Sequence, residues 1–395
     1  MRPANGTYAR LAALWFGLQF VWGAILAVSL QARSGELAPR DGLRAYALIA
    51  ASGALAGMLT QLVSGPLADR GFARRGDRRA FYIAGVALAV PALLWFYLAP
   101  SYAQLIAAFF ALQIGMNVAG GPYAAIVPDY VPAERAGGAS AWMGTLQSLG
   151  NAGGLLVAGF IANRLIDAAL LGGVLAVSLL VTTRATRHTP PVPTRREPFA
   201  FGPEFRTLLA SRGAINFGFY TLLGFLFFFV TQSLHVAAAP ARMLTALLFL
   251  TFTIANVAGA GLAAAPADRY DKRAVVLGAN VVVAAGLSLL ATAGTAGWAF
   301  AAAAIAGVAW GAYFIADWAL ACTLLPRGAM AASMSVWNIA ATLPQIVAPA
   351  ITAPIAERVN AALPGTGPRV AIVLAILEFT IGALWLYRLP KPRLL

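Results

Sequence analysis

Asp317 and Glu378 are the only acids inside the long apolar stretches of this sequence, and no lysine or arginine is expected near the middle of any such stretch. A carboxylate at the centre of a membrane helix costs roughly 2.5–3.5 kcal/mol, and such residues usually mark ion or proton pathways. An acid there without a basic partner is suited to taking up and releasing a proton. Asp317 shares a helical face with Trp310 and Tyr313, seven and four residues before it. It reads either as a proton-carrying or solute-binding group, or as a buried acid hydrogen-bonded to a neighbouring helix. For Glu378, midway along the last stretch, proton coupling competes with a structural role.

Amides and aromatic rings recur at helical spacing. Trp15, Gln19 and Trp22 follow i, i+4, i+7; Gln113 pairs with Asn117, Gln147 with Asn151, Asn216 with Tyr220, and Asn338 with Gln345. Any single amide can merely join two helices, at ~0.6 kcal/mol. Taken together, Trp15, Gln19, Trp22, Asn117, Asn216, Tyr220, Trp310, Tyr313 and Asn338 offer donors and acceptors without fixed charge beside flat rings. That combination suits a neutral ligand rich in hydroxyls. An anionic ligand would want a buried arginine or lysine, which is not expected, whereas a permanent cation could use Asp317 with the tryptophans.

A third group is charged and clustered. The segment from Gly65 to Arg79 holds Asp69, Arg70, Arg75, Arg78 and Arg79, and a second Asp-Arg pair, Asp268-Arg269, follows the eighth apolar stretch. At the negative end of a helix Arg70 is favoured and Asp69 is not. Asp69 therefore needs a partner from elsewhere, and a contact with the opposite half would make it a gate that exists only when the cytosolic side is closed. The plainer reading is a basic anchoring loop.

The elements that must position these residues follow from composition. Of 395 residues 60% are apolar and only 11% are charged, against roughly 45–50% and about 25% in a soluble domain. The apolar runs are continuous rather than alternating, so they predict helices and not a barrel; twelve spans of about 20 residues account for them. The fold expected is an all-α membrane protein. With both termini cytosolic, 21 of the 28 basic residues fall inside and 7 outside, so the net charge of +14 reflects membrane orientation and calls for no nucleic acid. The first apolar stretch is too long for a signal-peptide core and is expected to be retained. One cysteine, Cys322, and two distant histidines, His188 and His235, leave no basis for a disulfide or a zinc site. No cofactor is expected.

The chain divides around residues 184–212, which carry six arginines and the run Pro190-Pro191-Val192-Pro193 and read as a cytosolic linker between a half at 1–183 and a half at 213–395. The halves echo each other. Asp69 and Asp268 are 199 residues apart, Pro132 and Pro326 are 194 apart, and Asn151 and Gln345 each lie nineteen residues beyond those prolines. These offsets imply a six-plus-six parallel repeat, with the ligand held midway between the halves.

The segment Gly65 to Asp69-Arg70, followed by glycine and basic residues, resembles the hallmark loop of the major facilitator superfamily. Three longer stretches resemble its branch of sucrose-proton symporters and glycoside-pentoside-hexuronide carriers. They are Asp69-Arg70 to Arg79; Gly121-Pro122-Tyr123 through Val127-Pro128-Asp129 to Trp142 and Gly150-Asn151; and Trp337-Asn338 through Pro344-Gln345 to Ala348-Pro349. The resemblance covers essentially the whole chain and places Asp129 among the gating charges. The second copy of the loop has Ala264 in place of the glycine, and the fourth span lacks the buried acid of sucrose symporters.

The function expected is secondary active transport of a small polar solute, a sugar or glycoside, by alternating access with proton coupling. The chain would act as a monomer in the bilayer of the inner (plasma) membrane. The alternative is a proton-coupled antiporter exporting drugs or lipophilic cations. Phosphate-binding and metalloprotease motifs are both missing from the sequence, so no enzyme is expected.

Overall fold

Continuous runs of apolar residues, with prolines and glycines placed where a lipid-embedded helix tolerates them, fold here into helices alone; no strand occurs among the described residues. The computed structural model of the protein describes residues 5–39, 41–131, 136–188, 202–269, 271–324 and 330–389. Its long helices are α1 (Ala13–Leu37), α2 (Gly42–Arg75), α3 (Arg79–Leu98), α4 (Tyr102–Tyr123), α5 (Ala136–Phe160) and α6 (Arg164–His188), then α7 (Pro203–Ser233), α8 (Ala238–Arg269), α9 (Lys272–Thr292), α10 (Ala296–Leu324), α11 (Met330–Ala362) and α12 (Gly367–Trp385). Short helices Asn5–Leu11 and Ile126–Tyr130 precede α1 and follow α4. Ten of the twelve long helices are long and apolar enough over their described residues to cross a membrane. Large apolar side chains face outward, Leu262 and Val281 being 72% and 71% exposed, as a hydrocarbon solvent permits.

Three boundaries differ from the sequence expectation. The charged segment after the second span is helical through Arg75 and stops at Gly76, whose φ of 65° lets its N–H reach the carbonyl of Phe72 at 2.7 Å. Asp69 thus lies seven residues before the cap and not in the last turn, so a clash with the helix dipole does not apply to it. The fourth span, expected over 102–127, ends at Tyr123, its continuation being the separate short helix Ile126–Tyr130. The seventh helix begins at Pro203, behind Gly202, because proline is well placed at a first helical position; Arg212 therefore sits well inside a span.

The chain splits into two compact units, Met1–Arg195 and Arg196–Leu395. In the first, α1 packs on α5 and α6, α4 packs on α2 and α3, and α3 reaches α6. The second repeats this six helices on: α7 on α11 and α12, α10 on α8 and α9, and α9 on α12. The copies also share a local irregularity, a five-residue π-helical stretch at Ile25–Ser29 in α1 and at Phe229–Ser233 in α7. Each unit has an arginine tying loose helix-end carbonyls together. Arg33 donates to the carbonyl of Ala99, just past α3, and Arg369 donates to the carbonyls of Ala291 and Ala293 at the end of α9. The tightest crossing in the second unit joins α8 to α10. A Cβ on Gly259 would overlap the backbone of Val308, and one on Gly311 would overlap the backbone of Asn256. These helices touch backbone to backbone.

Candidate functional site

Asp317 is not alone. Its carboxylate is ion-paired to the guanidinium of Arg212, from α7, with only 3% and 8% of the two side chains exposed. This overturns the expectation of an acid without a basic partner, and it removes the ground for setting anionic ligands aside. Around the pair, Tyr313 sits one turn before Asp317 with its hydroxyl beside both charges. The fully buried ring of Trp337 lies 4.2 Å from the guanidinium and stacks on Phe205 at 6.4 Å. Asn216, one turn after Arg212, donates to the Arg212 carbonyl at 2.9 Å. Arg212 Nε and the Trp337 indole N–H are buried without a hydrogen-bond partner among the described residues. Both donors are thus buried with no acceptor among the described residues, an arrangement a ligand oxygen would relieve.

Beside the pair, aromatic rings form a wall. Trp310 stacks on Phe219 at 4.6 Å and meets Tyr313 at 5.0 Å, and Phe219 meets Tyr220 edge-on at 5.3 Å. The wall continues into a small pocket lined only by apolar side chains, among them Phe219 and Leu226 of α7, Phe249 and Phe252 of α8, Leu287 of α9 and Ala302 of α10. On another side of α7, Thr221 donates to a carboxylate oxygen of Glu378 at 3.0 Å and lies 3.4 Å from the hydroxyl of Thr352.

The first unit arranges its amides differently. Asn117 donates to Gln113 Oε1 at 3.0 Å and accepts from Gln61 of α2 at 2.6 Å, giving a three-amide chain across α2 and α4. Gln61 was not singled out from the sequence; as a polar residue near the middle of a lipid-embedded helix it carried that signal. Trp15 donates to Gln147 at 3.0 Å, and Asn151 donates to Gln19 at 3.1 Å. Two polar faces read independently in α1 and α5 therefore meet each other. Trp15 also stacks on Tyr123 at 6.0 Å, while the Tyr123 hydroxyl donates to the Leu11 carbonyl at 2.6 Å. Tyr123 stands 194 positions before Asp317, so the first and fourth helices of each unit are tied at matching places. One tie is neutral and aromatic, the other ionic. Trp22 is half-buried on α1.

Of the gating charges, Arg78 and Asp129 are brought together in a buried pair at 2.6 Å, which joins the turn before α3 to the short helix after α4, with Arg78 also 4.8 Å from the Phe72 ring. Breaking such a pair from one side typically costs 3–5 kcal/mol. Arg79 instead pairs with Asp77 in its own turn at 2.6 Å, and Arg70 is exposed. Burial pushes the neighbouring Tyr130 hydroxyl up to about 12, with the charges of Asp77 and Asp129 adding to the effect. At the start of α9, a side-chain hydrogen bond from Arg273 leads the causes that hold Asp271 below the ordinary carboxylate range. The side chains of Asp69, Arg75, Asp268, Arg269 and Asn338 lie outside the described ones.

Two comparisons with known proteins bear on this arrangement. The family profile described as Major Facilitator Superfamily matches residues 10–349. No curated protein matches the chain. The fold is similar to two solved structures of a bacterial homolog to the human lysosomal transporter Spinster. One is inward-facing and unoccupied, at 16% identity and a TM-score of 0.74. The other is inward-facing and occupied, at 17% identity and a TM-score of 0.75, and both comparisons cover 98% of this chain and 97% of the other. Twelve long helices in two units of like packing agree with a profile match that runs from the start of α1 well into α11. The chain belongs to the Major Facilitator Superfamily.

Proposed function

We propose that the chain is a secondary active transporter that carries a small polar solute, a sugar or glycoside, by alternating access, with proton coupling through Asp317. The observation that carries this reading is the buried Arg212–Asp317 pair with the unsatisfied donors Arg212 Nε and Trp337 N–H beside it. A proton taken up on the Asp317 carboxylate leaves Arg212 without its counter-ion, and solute oxygens that accept from the guanidinium compensate. Proton and solute then favour the same state, which is what coupling requires. Within the same unit the Trp310–Phe219 wall supplies a flat face for a sugar ring. Alternating access is supported by likeness to a protein seen inward-facing both unoccupied and occupied. The basic excess on one side favours cytosolic termini in the inner (plasma) membrane, and Asp69, Arg70 and the Arg78–Asp129 pair serve the cytosolic gate.

One observation favours a second reading, export of drugs or lipophilic cations: the pocket whose Phe219 and Phe252 meet Trp310 is lined only by apolar side chains, a surface that matches a greasy ligand. Calorimetry on the purified protein with a series of deoxy sugars separates the two. Each hydroxyl removed from a bound sugar is expected to weaken binding by ~1–3 kcal/mol, because its partner in the site is left unpaired. If no sugar binds and lipophilic cations do, the sugar reading falls and the antiporter takes its place.

A further inference from the structure

Glu378 has no role in the scheme above, and its surroundings are unlike those of Asp317. It projects from the middle of α12 toward Thr221 of α7 and Thr352 of α11, both fully buried. Thr221 follows Arg212 by nine residues, two and a half turns, which places it on the opposite side of α7 and about 13 Å further along the axis. Arg212 meets Asp317 of α10 and Trp337 early in α11, whereas Thr221 meets Thr352 further along α11 and Glu378 of α12.

We propose that Glu378, Thr221 and Thr352 form a proton-binding site of the second unit, separate from the Arg212–Asp317 pair. The hydrogen bonds run in series, 3.0 Å from Thr221 Oγ1 to Glu378 Oε2 and 3.4 Å from Thr221 Oγ1 to Thr352 Oγ1. In such a chain the carboxyl group and Thr221 stay hydrogen-bonded to each other in either protonation state. With the carboxylate ionised, Thr221 donates to it and accepts from Thr352. When a proton adds to Oε2, the new O–H donates to Thr221 Oγ1, the Thr221 hydrogen turns to Thr352 Oγ1, and the Thr352 hydrogen rotates away from Thr221. A fixed ion pair lacks this reversibility, because protonating its acid strands a cation.

Among the described residues, the groups hydrogen-bonded in series with Glu378 are the hydroxyls of Thr221 and Thr352. On α7 the nearest charge is Arg212, on the far side, and Tyr220 points to the Phe219 wall. The charges nearest Thr352 on α11 are Glu357 and Arg358, five and six residues further along, and α9 carries charges only at its start, Lys272 and Arg273. On α12 itself Arg369 lies nine residues before Glu378, occupied with the carbonyls of Ala291 and Ala293, and Arg388 lies ten residues after. Three oxygens bonded directly to one another also make a poor cage for a metal cation, which needs several oxygens turned toward a common centre.

Infrared difference spectroscopy of the purified full-length protein in lipid, stepped between about pH 5 and pH 9, tests the site with protons as the only ligand. The wild type is expected to show a protonated-carboxyl stretching band that titrates. Glu378→Gln should abolish that band, Thr221→Val should shift its frequency by removing the hydrogen bond, and Asp317→Asn should leave it in place. An unaltered spectrum in Glu378→Gln overturns the proposal, as does a Glu378 band that does not titrate. Erasure of the band by sodium chloride at constant pH, with choline chloride as control, would make this a metal-ion site and overturn the proton assignment. No solute enters the measurement, so the outcome is independent of whether the sugar reading survives.

Discussion

Arg212→Ala is expected to be among the most damaging single substitutions in the second unit, lowering stability by about 3–5 kcal/mol by leaving Asp317 buried without its partner. The guanidinium also contributes its contact with Trp337 at 4.2 Å, so packing is lost along with charge. Asp317→Asn strands the Arg212 charge in turn, but its amide keeps the shape and an oxygen that accepts from the guanidinium, so its cost in folding should be smaller. Its damage should appear in function, with solute exchange retained and accumulation driven by a pH gradient lost. The double variant Arg212→Ala/Asp317→Asn should recover much of the stability of Arg212→Ala, because no charge remains buried alone. Thermal unfolding in detergent, with transport at equal protein in the membrane, reads both effects. If Arg212→Ala melts like the wild type, the pair contributes nothing to the fold; if Asp317→Asn still accumulates solute, Asp317 does not couple protons.

The second large effect is expected at the α8–α10 crossing. Gly259→Leu forces a side chain against the backbone of Val308, which cannot rotate aside as a flexible side chain would. Overpacking a core by even a methylene or two typically costs 1–3 kcal/mol, and a leucine against backbone should exceed that range. Gly311→Leu makes the reciprocal clash with Asn256 and should behave alike. By contrast Gly278→Leu, on α9 with nothing near its Cβ position, should be tolerated. Folded yield and melting temperature of the three variants give the comparison, and equal values for Gly259→Leu and Gly278→Leu would show that the helices can separate without loss.

The number of spans and the duplication were legible because a bilayer leaves little choice: backbone groups must bond within helices, and about 20 apolar residues are needed for each crossing. Asp69 and Asp268 duly fall on α2 and α8, and Asn151 and Gln345 on α5 and α11, helices that pack alike in the two units, while Pro132 and Pro326 lie outside the described residues. Which face of each helix meets which neighbour was much less legible. A helix bathed in lipid is apolar all round, so the asymmetry that betrays the buried face of a water-soluble helix is missing. The polar faces of α1 and α5 were each visible in the sequence, yet nothing in it joined Trp15 to Gln147 or Gln19 to Asn151. Arg212 escaped because it follows an arginine-rich segment and passed for the end of a linker. Its spacing of four and eight residues before Asn216 and Tyr220 would have put it on the same helical face.

The π-helical stretches in α1 and α7 bear on how the chain tolerates the loss of a residue. Removing one amino acid from a regular helix turns everything beyond it by about 100° and shortens it by 1.5 Å, which in a packed bundle misplaces every later side chain. A π stretch holds one residue more than an α turn of the same length. A deletion inside Ile25–Ser29 can therefore be absorbed by relaxation to ordinary helix, with Trp15 and Gln19 on one flank and Arg33 on the other keeping their directions, and the same holds for Phe229–Ser233 between Arg212 and the loop that follows. These are two places where the chain could shrink without turning its helices.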